Sequence, residues 1–402
     1  MAQKLRIIVG GMVGQFPLGG VAWDYFHYVL GLAELGHEVV YHEDTWVWPH
    51  DPAKGYPTDD PSYTVRFIGD FFEKYRASGE NAGSVRWHYV LLHEKHFGMT
   101  AEEFDAFAAT ADVFVNVSGA CFIPDKLNGR AKRAWMDTDP GYNQIRMATR
   151  PAWAENIDRW LEQVRAHDVH LTYAENIWAD DCLLPRLDFK WITTRCVATL
   201  GHWAAIKDAA ITEDAPFTTV MSWDYFPGKL ELDGVEYHGK PPEYERFRAL
   251  PGRSPVKLSL AVGGHKTPVE QIKADGWGLI DARAATLTPE SYQQFIGASA
   301  GEWSIAKNVF VHTRSGWFSC RTACYLAAGR PAVVQETGWS KYVPSGRGVI
   351  AFSTMDEAVA GLEEVKGNYA AHRAAAYDIA RAYLSPERVL TKMLADILSS
   401  DR

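Results

Sequence analysis

The sequence predicts an α/β protein built as two doubly wound domains facing a central cleft. Three observations carry this. At 402 residues the chain is too long for one ordinary core. Short apolar runs of strand length alternate with helical segments. That alternation breaks once, over a stretch rich in Pro and Gly, and then starts again.

The first 44 residues set the pattern. LRIIVG reads as a buried strand, GMVGQFPLGG as a glycine-rich loop and VAWDYFHYVLGLAELG as a helix closed by Gly36, before a second strand in HEVVYHED. A right-handed crossover puts the loop at the carboxyl edge of the first strand, where open α/β sheets bind ligands. Strand-like runs recur at 111–119, 133–139, 170–177 and 191–199, separated by segments such as PAWAENIDRWLEQVRAHD. Residues 1–228 are read as the first domain and 229–253 as a linker, inside the Pro/Gly-rich stretch 222–253. The second domain, 254–385, opens with the strand VKLSLAVGG and the strand GWGLIDAR. SYQQFIGASAGEWSIAK is read as a helix, NVFVHTRSG as strand and turn, and FSCRTACYLAAG as a helix. PAVVQETG and GVIAFST are further strands. Residues 386–402 form a C-terminal helix with the first domain as a candidate partner.

Composition excludes several classes. Hydrophobic residues at 47% and charged residues at 23% describe a soluble folded chain. A net charge of -9 argues against a general binder of phosphate backbones, although a local basic cleft remains compatible with it. The apolar run near the start is too short for a signal peptide or a membrane span, and no transmembrane segment is expected. Five cysteines without a CxxC pair suit a cytoplasmic protein. Cys320 and Cys324 lack nearby histidines, so no metal site is expected. The fifteen tryptophans serve core and inter-domain packing, or line a ligand cleft.

The stretch RSGWFSCRTACYLAAGRPAVVQETG, from Arg314 to Gly338, concentrates candidate chemistry. Ser319 is a good helix N-cap, with Arg314 before the helix and Arg321 in its first turn. Backbone amides, helix dipole and two guanidiniums would suit a diphosphate; the alternative is a surface turn with solvated arginines. Gln335, Glu336, Thr337 and Gly338 end the next strand at the same edge, facing a ribose or sugar or simply forming a turn. For a base, Asp137 and Asp139 in WMDTDPGYNQ lie on one side of a strand end, unless Asp139 only caps the next helix. Asp24 and His27, three apart on the first helix, are the rivals. Glu175 is a further acidic candidate. Gly263 and Gly264, in GGHK, could bring backbone near a ligand, with His265 or Lys266 meeting phosphate.

The string GEWSIAKNVFVHTRSGWFSCRTACYLAAGRPAVVQETG, followed by VPSGRGVIAFSTMDEAV, resembles the carboxyl-terminal domain of GT-B-fold glycosyltransferases of the glycosyltransferase-4-like group, in a poorly characterised bacterial and phage branch. The resemblance extends through PLGGVAWDYFHYVLGLAELGHEV, WMDTDPGYNQ, HLTYAENIW and WITTRCV. It implies two Rossmann-like domains, a nucleotide-sugar donor held mainly by the second, acceptor binding by the first and no obligatory cofactor or metal. Carried over by residue, Arg314, Ser315, Gly316, Ser319 and Arg321 would surround the diphosphate, with Lys307 neutralising a phosphate. Gln335, Thr337 and Gly338 would face the donor, and Gly19 and Gly20 would let backbone approach it. Many retaining relatives carry two glutamates eight apart; here those positions are Gly316 and Cys324. The implied function is transfer of a sugar to an unidentified acceptor, with a small molecule, glycan or protein favoured and a phage-type modified DNA base kept as an alternative. A nucleotide-sugar epimerase and a degenerate nucleotide-sugar-binding protein are the competing readings.

Overall fold

The structure, a computed structural model, describes residues 4–54, 56–79, 82–223 and 229–400. The first lobe is built on eight strands: β1 (Arg6–Gly10), β2 (Glu38–Asp44), β3 (Val85–Leu91), β4 (Lys95–Gly98), β5 (Val113–Val117), β6 (Lys132–Asp137), β7 (Val169–Thr172) and β8 (Trp191–Thr193). They stand in the order β8-β7-β6-β5-β1-β2-β3-β4, parallel except for the antiparallel edge pair β3–β4. Ile8 of β1 pairs with Val40 on one side and Phe114 on the other. β1 is buried on both faces, as its unbroken apolar run requires in a parallel sheet. Strand order reverses at β1, so the crevice between the chains leaving β1 and β5 opens at their carboxyl ends.

The second sheet holds β9 (Phe217–Ser222), β10 (Leu258–Gly263), β11 (Gly278–Ile280), β12 (Gly301–Ser304), β13 (Ala332–Gln335) and β14 (Val349–Phe352). All neighbours are parallel, in the order β11-β10-β9-β12-β13-β14. β9 pairs with β10 and β12 at the centre of this sheet, although the sequence reading assigned its residues to the first domain. Residue 228, the expected boundary, lies outside the described residues. The expected linker contains a hairpin, Leu230–Leu232 with Val235–Tyr237.

Two local expectations are corrected. GEWS is the buried strand β12 and not the end of a helix, because the preceding helix α2 (Pro289–Ala298) stops before Ser299. NVFVH is a one-turn helix, Asn308–His312, and not a strand. Its β-branched residues suggested a strand, but β12 already fills that place in the sheet.

Three further helices position the site: α1 (Gly19–Glu34), α3 (Cys320–Ala327) and α4 (Pro386–Ser399). α1 is apolar almost all round, because it is covered on several sides. Its Trp23 indole donates to the Pro289 carbonyl of α2 at 3.1 Å. Gly31 lies so close to α4 that a Cβ there would come within 2.8 Å of Leu390. Leu390, Met393, Leu394 and Ile397 are buried, each contributing about 2 kcal/mol, so α4 is an integral part of the first lobe's packing. No helix among the described residues is long and apolar enough to cross a membrane.

Candidate functional site

The carboxyl ends of the two sheets meet at a seam. On the first-lobe side, Glu43 at the end of β2 accepts the Gly14 and Gln15 amides at 2.7 and 2.9 Å and the Tyr41 hydroxyl at 2.6 Å. Burial pushes its carboxyl up to about 7, and its role is to hold the glycine-rich loop. Gly19 and Gly20 follow that loop. A Cβ on Gly19 would lie 2.1 Å from the Thr288 carbonyl oxygen, and one on Gly20 would lie 3.2 Å from the Tyr292 ring. What these glycines admit in this closed arrangement is the second lobe's own chain.

The Arg314–Gly338 stretch is only partly the expected anion cradle. Ser319 does cap α3, accepting the Arg321 amide at 3.2 Å. The two arginines do not converge. Arg314 has φ +49°, is half exposed, and reaches across the seam to Asp181 at 2.8 Å. Asp181 also takes Lys341 at 2.6 Å, so this is a surface charge bridge. Arg321 is buried against Glu302 at 2.6 Å and donates to the Val220 carbonyl at 2.8 Å. Glu302, at the base of the cleft, is the acid that offsets a cation in a first helical turn.

Several expected donor contacts turn out to shape the turn itself. Ser315 is fully buried and its hydroxyl accepts the Trp317 amide at 3.3 Å. Gly316 has φ +82°, and a Cβ would meet the Asn176 amide nitrogen at 2.5 Å. A glutamate here, as in the retaining relatives, would collide with the first lobe. Gln335 accepts the Ala306 amide at 3.0 Å and donates to buried Glu243 at 2.6 Å. Thr337 donates to the Trp317 carbonyl at 2.7 Å, and Gly338 has φ +99°. Gly263 ends β10, where a Cβ would meet nothing nearer than Ala282, at 4.0 Å, among the described residues, and Gly264 follows with φ +127°.

The carboxylate candidates separate into distinct roles. Asp137 is fully buried and accepts from Asn143 and Gln144 at 2.6 Å each and from Thr172 at 3.0 Å. Burial raises it to about 6, yet its oxygens are spent on organising the β6 end. Asp139 crosses the seam to Lys307 at 2.5 Å. His27 is a packed histidine: its Nδ1 accepts the Thr199 amide at 3.1 Å and meets the Thr199 hydroxyl at 2.7 Å. Its Nε2 lies 3.8 Å from Cys324 Sγ, and burial holds its pKa well below the usual range. A histidine so enclosed cannot serve as a base, which corrects its candidacy.

Asp24, like Asp139, keeps a buried Oδ1 without a hydrogen-bond partner among the described residues, but it is in no ion pair among them. It faces α3 across the seam and receives a hydrogen bond from the Cys320 thiol. Burial pushes its carboxyl up to about 6. A cation missed in the sequence completes the cluster. Lys240 precedes the helix Pro241–Phe247, and no carboxylate among the described residues is in ion-pair contact with it. Burial, with Arg321 and Lys307 adding repulsion, lowers its ammonium to about 7. Its only sequence context, GKPPEY, reads as a connection. Among the described residues no three His, Cys, Asp or Glu side chains converge as metal ligands.

Within the second lobe, the space between Ser304, Ala306, Ser319, Thr322 and Gln335 amounts to 10 Å³, about the room for one water. By sequence, no protein-family model and no curated protein matches the chain. By structure, it is similar over its whole length to AviGT4, a glycosyltransferase involved in avilamycin A biosynthesis, at 14% identity, covering 98% of this chain and 97% of that one, TM-score 0.53. It is similar to an alpha-glucosyltransferase solved with UDP and a 13-mer DNA containing an HMU base, at 10% identity, covering 99% of this chain and 100% of that one, TM-score 0.57. It is also similar to HepE from Anabaena, solved with UDP and glucose, at 12% identity, covering 99% of this chain and 100% of that one, TM-score 0.53. The architecture is the GT-B fold, two Rossmann-like domains around a cleft.

Proposed function

We propose that the protein transfers a sugar from a nucleotide-activated donor, with the diphosphate held at the seam by Lys240 and the α3 amino terminus and with Asp24 as the proton acceptor. The observation that carries this reading is a pair of charges uncompensated among the described residues: a buried Asp24 oxygen without a hydrogen-bond partner and a Lys240 without an ion-paired carboxylate. Such groups are costly in a folded chain, and both act on Cys320 at the start of α3, which marks a site suited to charge that arrives with a ligand.

Two tasks define the reaction. The leaving diphosphate accumulates negative charge, which a preorganised cation and helix-end amides stabilise. Among the described residues Lys240 has no ion-paired carboxylate, whereas Arg321 is neutralised by Glu302. Lys307 joins when a phosphate displaces Asp139. The acceptor hydroxyl must lose a proton, and a carboxyl with a pKa of about 6 is ionised at neutral pH yet basic enough to take it. An acceptor hydroxyl therefore approaches from the Asp24 side.

The contacts that cross the seam make lobe opening part of the cycle. The exposed bridges Arg314–Asp181 and Lys341–Asp181 and the pair Lys307–Asp139 cross the seam and can part at little cost. Reclosure excludes water from the donor.

The test is nucleoside diphosphate release from a panel of nucleotide sugars, UDP-glucose first. The wild type should release it slowly without an acceptor. Asp24→Asn should lose about 10²–10⁴-fold in rate, as removal of a general base does. Equal rates in the two proteins would remove Asp24 from the chemistry; no release from any donor, with or without candidate acceptors, would favour the non-enzymatic binder.

A further inference from the structure

A second pocket lies wholly in the first lobe, at the carboxyl ends of β2 and β5. Its volume is 740 Å³, which suits a small molecule of a few rings. Trp46, Phe122 and Trp160 supply ring faces, and Arg146 and Arg159 bring two guanidiniums into the same wall region. Asp125 and Glu155 line it too, so the lining carries no net charge apart from His93, which is engaged by Asp44.

The arginines are unlike those of the seam. Arg146 lies flat on Trp160, 3.8 Å from the ring centroid, and no carboxylate among the described residues is in ion-pair contact with it. Burial lowers its pKa, only partly offset by Tyr142, to which it is hydrogen-bonded, and by the Asp137 and Asp139 carboxylates. Arg159 is exposed and also forms no ion pair among the described residues. The backbone is unusual in the same place. Trp46 has φ +57°, His93 +63° and Asn156 +58°, all in the left-handed region and all lining this pocket. For a tryptophan that conformation is costly, and such residues persist where the surroundings impose them, commonly at ligand sites. Trp46 is nevertheless 58% exposed, so burial of its ring does not hold it there.

We propose that this pocket binds the acceptor, and that the acceptor is a monosaccharide-sized ring bearing an anionic group, phosphate or carboxylate. The ring stacks on Trp46, the anion is taken by the Arg146 and Arg159 forks, and Asp125 and Glu155 accept hydrogen bonds from sugar hydroxyls. Because the lining charges balance, discrimination is at short range and does not arise from a long-range field. The word acceptor rests on the transferase reading above; the ligand class rests on the pocket alone.

The experiment is titration calorimetry of the full chain with glucose, glucose 6-phosphate, glucuronate and inorganic phosphate, without nucleotide. One of the two anionic sugars should bind at least about tenfold more tightly than glucose or phosphate alone, and the tighter one identifies the anion. Arg146→Gln and Arg159→Gln should each weaken it by about tenfold or more. Trp46→Gly should weaken it too while keeping the melting temperature, since glycine relieves the positive φ and an exposed ring is all that is lost. Equal affinity for glucose and the anionic sugars, indifference to the three substitutions, or no binding of either anionic sugar overturns the proposal. Nucleoside diphosphate release, measured in parallel, separates the two readings. Binding without release under any condition leaves an anionic-sugar site and removes the transferase; release without such binding does the reverse.

Discussion

The seam and the first-lobe pocket draw on the same side chains, arginine, carboxylate and tryptophan, in opposite states. At the seam Arg321 is buried and tied to Glu302 at 2.6 Å, and Lys307 is tied to Asp139 at 2.5 Å. In the pocket Arg146 and Arg159 form no ion pairs among the described residues and 740 Å³ stands open. The difference teaches where charge serves the fold and where it awaits a ligand. A paired buried arginine is structural even when its motif position suggests binding. An unpaired one, or an unpaired lysine such as Lys240, is the better pointer to a ligand.

The largest effect expected from this contrast is on stability. Arg321→Ala leaves Glu302 buried and unpaired and should cost about 3–5 kcal/mol in denaturant unfolding, whereas Arg159→Ala should stay within about 0.5 kcal/mol. Similar costs for the two would erase the distinction.

Asp24 sharpens the contrast by its pH dependence. Its folded pKa of about 6 lies above its ordinary value of 3.8, so the folded state binds the proton more tightly. The stability from this group is therefore fully present below about pH 4 and lost as pH rises through 6. Asp24→Asn should match the wild type near pH 4 and exceed it by up to about 2 kcal/mol at pH 8, read from melting curves. Asp137 has a similarly raised pKa, but its oxygens accept three side-chain donors. Asp137→Asn should accordingly destabilise at pH 8. The smallest effect belongs to Arg314→Ala. Its side chain is half exposed, so the melting temperature should move by no more than about 2 °C, and less in high salt.

Local pattern made much of this legible in the sequence. β1, the glycine loop and α1 follow from an apolar run, a glycine cluster and Gly36, whose φ of +95° ends the helix. Ser319 was readable as a cap because capping is a property of one residue and its neighbours. What failed was long-range. β9 sits in FTTVMS, half threonine and polar, beside a Pro/Gly-rich stretch, and only its pairing with β10 and β12 makes it central. The partners of Arg314 and Arg321, Asp181 and Glu302, are 133 and 19 residues away, so nothing in the motif separates a bridge from a clamp. Lys240 had no signal at all, because its burial depends on how the lobes close.

The most direct test of the central claim is calorimetry of UDP binding at pH 8 in buffers of different ionisation enthalpy. Lys240, with its pKa lowered to about 7, is mostly neutral there, and a diphosphate docking beside it should draw a proton onto it. The expected result is net proton uptake on binding in the wild type, with Lys240→Met binding more weakly and taking up none. UDP binding with no proton exchange, or with equal affinity and uptake in Lys240→Met, would contradict a diphosphate site at the seam.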